Sequence, residues 1–431
     1  MGKLKLFVGA LLLASLASCS SDELLEKPTI TSDSQMNALS FSPISNRTRS
    51  TVVNKTSDLG SFIVTAFWAD NTALNGLNYY TAGQKYDGTA ADPGLPLGTQ
   101  GDVYASMEKT EIDYTGSGWD YKNSTDLKYW PYTTSNQGTT YDGNVKLDFY
   151  AVSPASVKSL TTLDNTNKKV AAFSATSVPS MVDLCYASAI NQTADANATV
   201  NLKFKHALSQ ITFLAKKDND MVVEINEIQL RNLINGGDYA LPTNIATDAT
   251  SQNGVWTLGT NTSSYPGFTV TGSPIAIPDA NAGDAAKPFE LTKSGEELLI
   301  IPQSTISNAW DPTKVTDATA PHGTADATTK VVLRIQCRVS RGGTWLLGSA
   351  TTFEWRNFPI NVEYKQGYKY KYILLFGGVK DDTPGEDPGD NPGEDTPGGY
   401  EDDGKVAAPT VPIRFNATAI DWTDAVSDVT F

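Results

Sequence analysis

The chain has 431 residues, enough for two domains of ordinary size or one large β architecture. Hydrophobic residues make up 40% and charged residues 19%, which is the composition of a folded protein and not of a disordered one. The formal net charge of −15 argues against nucleic-acid binding, because a phosphate backbone requires clustered Lys and Arg and the sequence has no such cluster.

The N-terminus has the form of an export signal. The basic start KLK, residues 3–5, is followed by the apolar stretch LFVGALLLASLA, which is too short for a comfortable membrane span. The stretch runs into LASC, residues 16–19, which resembles the lipobox of bacterial lipoproteins. This resemblance implies that residues 1–18 are a lipoprotein signal peptide and that Cys19 carries lipid as the first mature residue. The alternative is a plain secretory signal that is cut near a cysteine.

The next segment, residues 19–49, is polar apart from one alternating piece, NALSFSPI. In this piece Leu39 and Phe41 share one face of a short strand, and serines occupy the other face. Pro43 limits such a strand to an edge position or to a strand end.

Two arginines, Arg47 and Arg49, close this segment within NRTR. The chain has only eight arginines, and the next one along the sequence is Arg231. Two positive charges in a chain of net charge −15 make a poor patch for a phosphate or membrane partner, so their position calls for another explanation.

From about residue 50 onward, alternation with period two recurs, and turn signals such as NQGTTYDGN separate the runs. No amphipathic helix of three turns or more is predicted. The sequence therefore predicts an all-β fold of mostly antiparallel sheets packed as sandwiches. The clearest runs are SFIVTAFWAD (61–70), KLDFYAVSP (146–154), VNLKFKH (200–206), GYKYKYILLF (367–376) and VPIRFNATA (411–419).

A polar stretch near residues 190–198 divides this region into two predicted β-sandwich domains, 50–196 and 197–380. Residues 381–404 hold ten acidic and no basic residues among prolines and glycines, so they are predicted to be a solvated linker. This linker tethers a strand-like segment, residues 405–431, to the second domain. The apolar positions of that segment alternate, at Val411, Ile413, Phe415 and Ala417.

The sequence lacks the motifs of known catalytic and metal sites. The two histidines, His206 and His322, have no partner at metal-ligand spacing, and neither a nucleophile elbow nor a Gly-rich phosphate loop is present. We therefore expect no metal, no cofactor and no enzymatic activity. Export would permit a disulfide between Cys185 and Cys337, but two separate buried thiols are favoured, since Cys337 shares the apolar face of a strand.

A series of segments follows in chain order: LASC, NRTR, KYWP, LDFYAVSP, VDLCYAS, VNLKFKHALSQITF, ELLIIPQ, GYKYKYILLF and IRFNATAIDW. Together, in this order, they resemble the fimbrillin family, the subunits of type V pili on Gram-negative anaerobes of gut and mouth. The resemblance implies two tandem transthyretin-like β-sandwich domains.

The resemblance also implies a mechanism. The subunit would reach the outer membrane as a surface lipoprotein, where an arginine-specific or trypsin-like protease cuts after Arg49 or Arg47. The released segment, with Leu39 and Phe41, would include the first strand, and its loss would open an apolar groove. A C-terminal strand of another copy or of a related pilin would fill this groove and build an adhesive pilus that contacts a host or bacterial receptor. The candidate donor positions are Val411, Ile413, Phe415 and Ala417.

Two alternatives stay open at this point. The terminal strand could complete the chain's own second domain, although exchange between subunits is favoured. The chain could also be a surface-anchored carbohydrate-binding lipoprotein, with exposed tryptophans as platforms for sugar rings. The clusters NYY, KYWPY and WDYKN offer aromatic rings for that role, but packing inside the sheets is the favoured interpretation of them.

Overall fold

The computed structural model describes most of the two predicted domains and the two terminal strands. The described residues are 40–44, 59–80, 95–116, 118–123, 128, 130–134, 141–160, 162–175, 181–193, 199–242, 253–260, 262–269, 274–283, 285–292, 297–305, 330–377 and 413–421.

Strands dominate these residues, as the period-two runs predict. In chain order they are β1 Ser40–Ile44, β2 Ser61–Trp68, β3 Asn78–Tyr80, β4 Leu95–Pro96, β5 Thr110–Tyr114, β6 Trp119–Tyr121, β7 Tyr132–Thr134, β8 Tyr141–Asn144, β9 Leu147–Ser153, β10 Thr162–Asp164, β11 Lys169–Ser174, β12 Cys185–Gln192, β13 Thr199–Lys203, β14 Lys205–His206, β15 Ser209–Lys217, β16 Met221–Ile234, β17 Gly236–Ala240, β18 Val255–Leu258, β19 Thr262–Thr269, β20 Ile275–Ala276, β21 Phe289–Glu290, β22 Leu298–Ile300, β23 Val332–Arg341, β24 Thr344–Leu347, β25 Glu354–Pro359, β26 Tyr368–Phe376 and β27 Ile413–Asp421.

Helix is almost absent from the described residues: one α-helical turn, α1 Val157–Leu160, accompanies three short 3₁₀ turns. In this part of the chain no helix combines the length and the apolar character that crossing a membrane requires. The strand pairs are antiparallel except for β1 with β13 and β15 with β26. The prediction of an all-β fold built mainly from antiparallel sheets is therefore confirmed.

A six-stranded sheet in the order β14-β12-β9-β2-β5-β6 organises the first half of the chain. One face of β2 carries the predicted alternating row that includes Phe62 and Trp68, and these side chains lie in a first cluster, the N-terminal core. The other face presents Ile63, which belongs to a second cluster, the C-terminal core. Every β2 residue after the first is buried. Strand β2 thus lies between the two cores, and neither of its faces is exposed to solvent.

The C-terminal core lies between two sheets of the second half. One sheet contains β21, β15, β26 and β27, and the other contains β19, β16, β23 and β24 with β25 beside β23. Phe213 of β15 stacks on Tyr372 of β26 at 5.6 Å between ring centroids. From β23, Leu333 and Cys337 enter the same core fully buried, as the alternation of VVLRIQCRV predicts.

The boundary predicted at residue 196 runs through connected structure. The sheet β10-β11-β17-β18 joins strands from 162–174 with strands from 236–258, and β14 pairs with β12 across the same boundary. All described residues lie in the single compact unit Met36–Phe431. Strands from before and after residue 196 therefore share sheets and a core.

Core packing generates a stability prediction. Phe149 of β9 is fully buried and meets Trp130 edge-on at 5.5 Å. Phe149→Ala should lower the free energy of unfolding by about 3–5 kcal/mol, since it removes a buried ring and leaves a cavity. The matched control is Val222→Ala, at a strand position that is 54% exposed, where a change within about 0.5 kcal/mol is expected. Urea unfolding followed by circular dichroism measures both, and equal effects would contradict the assignment of the core.

Candidate functional site at the two terminal strands

The first described strand, β1, pairs with one neighbour among the strands that the structure describes. It runs parallel to β13 in a two-stranded sheet, and the register sets Phe41 opposite Val200 and Pro43 opposite Leu202. The side chains of Val200 and Leu202 are fully buried in the N-terminal core. One ladder of hydrogen bonds therefore holds β1 beside a strand whose apolar side chains belong to the core.

The last described strand, β27, is an edge strand. It pairs antiparallel with β26 along its whole length, at the end of the sheet order β21-β15-β26-β27. Its predicted apolar positions lie opposite core residues: Ile413 opposite Phe376, Phe415 opposite Leu374 and Ala417 opposite Tyr372. These three β26 side chains are 0–1% exposed. The alternating positions of β27 thus lie in register with β26 residues that belong to the C-terminal core.

The pairing with β26 places the terminal strand within this chain's own sheet. The sequence favours strand exchange between subunits over this intrachain pairing. The structure of a single chain can show only the intrachain pairing. Exchange therefore stays a prediction.

Several predicted positions lie outside the described residues. They are Cys19, Leu39, Arg47, Arg49, His322, Val411 and the linker 381–404. The next described residue after β1 is the buried Leu59, which lies two positions before the first core strand β2. In the sequence, the NRTR site thus falls within residues 45–58, after β1 and before β2.

Sequence reasoning missed a cluster of Asp183, Cys185 and His206. Antiparallel pairing of β12 with β14 sets Cys185 directly opposite His206, and Asp183 lies two positions before Cys185 on the same side. His206 Nδ1 lies 3.0 Å from Asp183 Oδ2, and Cys185 Sγ lies 3.5 Å from the same nitrogen. The sequence signal for this cluster was an Asp two residues before a Cys in VDLCYAS, together with the histidine that ends the next alternating segment, VNLKFKH.

This cluster does not activate a nucleophile. Burial, followed by the nearby Asp183 carboxylate, raises the pKa of the Cys185 thiol well above its usual range. A catalytic relay also needs the carboxylate and the nucleophile on different ring nitrogens, whereas here both lie at His206 Nδ1. The cluster therefore lacks the arrangement of a cysteine hydrolase.

Both described cysteines are free and buried. Burial raises the pKa of Cys337 to about 12. This agrees with the favoured interpretation of two separate thiols and not with a disulfide.

Each of the three quoted clusters has an aromatic residue that packs inside the fold. Tyr79, Tyr121 and Trp130 are all buried, at 9% exposure or less. Among the described tryptophans, the most exposed is Trp345 at 37%, and the Arg338 guanidinium lies over its ring. Packing is thus the better account of these clusters, and it leaves little support for tryptophan platforms that bind sugar.

Comparison with known proteins identifies a family. The model of the fimbrillin-like family matches residues 89–386. No curated protein matches the chain.

Among solved structures, the chain is similar to a fimbrial protein from Bacteroides vulgatus, with 16% identity over 89% of this chain and 99% of that chain and a TM-score of 0.48. It is also similar to a fimbrial assembly protein from Parabacteroides distasonis, with 12% identity over 81% and 93% of the two chains and a TM-score of 0.34. The tip fimbrial protein Mfa3 from Porphyromonas gingivalis, with a C-terminal truncation, shares 8% identity over 84% and 94% and gives a TM-score of 0.29.

The two thiols generate a chemical prediction. In a Cys19→Ser chain treated with EDTA, neither Cys185 nor Cys337 should react with a disulfide reagent such as DTNB while the protein is folded. Both are fully buried, and their raised pKa values leave almost no thiolate. After unfolding in guanidinium, two thiols per chain should react. Rapid reaction of one thiol in the native protein, or fewer than two after unfolding, would contradict the description.

Proposed function

The chain belongs to the fimbrillin-like family, and from this premise we propose that it is a structural subunit of a cell-surface pilus that polymerises by strand exchange. The observation that carries the proposal is the position of β27. It is an edge strand with one neighbour, and its apolar positions lie in register with fully buried residues of β26. A strand of this pattern can complete another sheet as well as its own.

In this proposal the chain is exported as a lipoprotein and is anchored in the outer membrane through lipid on Cys19. The lipobox-like LASC and the preceding apolar stretch support this step. Acyl chains hold the subunit at the surface until a protease releases it.

The next step is cleavage after Arg49 or Arg47 by an arginine-specific or trypsin-like protease. Cutting there separates β1 from the body, because both arginines follow the end of β1 at Ile44 and precede β2. Loss of β1 leaves the backbone groups of β13 unpaired beside the buried Val200 and Leu202. Unpaired strand edges and exposed apolar grooves are both unfavourable in water. Accepting a strand therefore lowers the free energy of the cleaved subunit.

The donor is β27 of the following subunit. Leaving its own edge position breaks one ladder, and the new pairing restores one ladder in the acceptor. The linker 381–404 supplies reach, at about 3 Å per extended residue. Because donor and acceptor are different surfaces, the contact is head-to-tail and produces an open filament. In this role the subunit is structural and catalyses no reaction. The filament would carry adhesion to a host or bacterial receptor.

Cleavage should trigger assembly. An arginine-specific protease should cut the purified chain once near the N-terminus, at Arg49 or Arg47, and the product should then form oligomers whose size rises with concentration. Mass spectrometry locates the cut, and gel filtration measures the oligomers. Arg47→Ala and Arg49→Ala singly assign the bond, and the double variant should stay monomeric. A cleaved chain that remains monomeric at every concentration would overturn the proposal.

The donor strand should tolerate substitutions at its polar positions better than polar substitutions at its apolar positions. Phe415→Arg should abolish oligomers of the cleaved chain, because it would put a charge into the acceptor's apolar groove beside the buried Val200 and Leu202. Asn416→Ser, one residue further along the same strand, is the matched control and should assemble normally. Circular dichroism checks that both variants fold. Normal filaments from Phe415→Arg would show that β27 is not the donor.

A further inference from the structure

We propose that Asp183, Cys185 and His206 form a binding site for one zinc ion. The three side chains meet where β12 pairs with β14, and they supply one carboxylate oxygen, one sulfur and one imidazole nitrogen. The site is independent of the terminal strands and of the proposed assembly mechanism.

The geometry fits a tetrahedral ion. The three ligand atoms all lie within 4.8 Å of one another. In a tetrahedral zinc site, metal–ligand bonds of about 2.0–2.3 Å set neighbouring ligand atoms about 3.5 Å apart. Cys185 Sγ and His206 Nδ1 are already 3.5 Å apart, and His206 Nδ1 lies 3.0 Å from Asp183 Oδ2. Both ligand pairs that include His206 Nδ1 therefore lie within about 0.5 Å of tetrahedral spacing.

The charges balance inside the fold. The side chain of Asp183 is 1% exposed and Cys185 is buried, so a net charge at this position would be costly. A Zn²⁺ ion with one thiolate, one carboxylate and one neutral imidazole is neutral. Binding releases the thiol proton of Cys185 to solvent, and the neutral imidazole coordinates through Nδ1 with its single proton on Nε2.

The ligand set selects the class of ion. Sulfur and imidazole nitrogen favour zinc over calcium and magnesium, which prefer oxygen ligands. The apolar residues Leu59, Trp119 and Phe204 pack around Cys185 and exclude water from one side. The side chain of His206 is 17% exposed, which leaves a route from solvent and a fourth coordination position for water.

The test uses the untagged full chain with Cys19→Ser. Isothermal titration with zinc chloride should give one site per chain with proton release, and cobalt should give a thiolate-to-metal charge-transfer band in the near ultraviolet. Cys185→Ser and His206→Gln should each weaken zinc binding by more than the ~10–100-fold that loss of an outer-shell partner costs. The cobalt band should disappear in Cys185→Ser. Excess calcium or magnesium should not displace zinc.

The matched control is Cys337→Ser, since Cys337 is the other buried free thiol and lies in the core of β23. This variant should bind zinc as the parent chain does and should keep the cobalt band. Absence of one-to-one zinc uptake by the parent chain would overturn the proposal, and this readout does not depend on the folding of any variant. Equal binding by Cys185→Ser and the parent chain would overturn it too, because the zinc would then lie elsewhere.

Discussion

The burial of both faces of the central strands in the six-stranded sheet is the constraint on which the rest of the structure depends. Its central strands β2 and β9 send one set of side chains, such as Phe62 and Phe149, into the N-terminal core. The opposite set, such as Ile63 and Val152, enters the C-terminal core. A sheet covered on both sides needs apolar residues at nearly every position, and it makes the two cores share one wall. Packing defects in this sheet therefore affect both halves of the chain.

Polar atoms that are buried near this sheet need hydrogen-bond partners. The Gln366 side-chain amide meets this requirement by donating to the Tyr186 hydroxyl at 2.8 Å and to the Tyr239 hydroxyl at 2.9 Å. Tyr186 comes from β12 and Tyr239 from β17, so the amide joins strands from before and after residue 196. The Asp183, Cys185 and His206 cluster meets the same requirement at the same end of β12, next to Tyr186. Its groups satisfy one another in a place where isolated ones would be costly.

The two terminal strands stand apart from this doubly covered sheet. Each of β1 and β27 has one hydrogen-bonded neighbour among the described strands. Strands with one neighbour cost less to detach than strands paired on both sides, because only one ladder is lost. The apolar alternation of these strands still matches buried partners, so detachment leaves a site that favours a replacement. A rigid body with exchangeable edges suits a subunit that must be stable alone and must also bind the next one.

The sequence by itself determined the all-β class, the strands with clear alternation, and the positions of β27 that lie in register with core residues of β26. These features follow from local patterns, since period-two alternation reports directly on which side of a strand is apolar. Only the tertiary structure decided what lies beyond each face. It showed that β2 separates two cores, that strands cross the boundary predicted at residue 196, and that His206 meets Asp183 and Cys185. Those contacts join positions more than 20 residues apart, and their partners depend on sheet order and register, which alternation within a single strand does not specify.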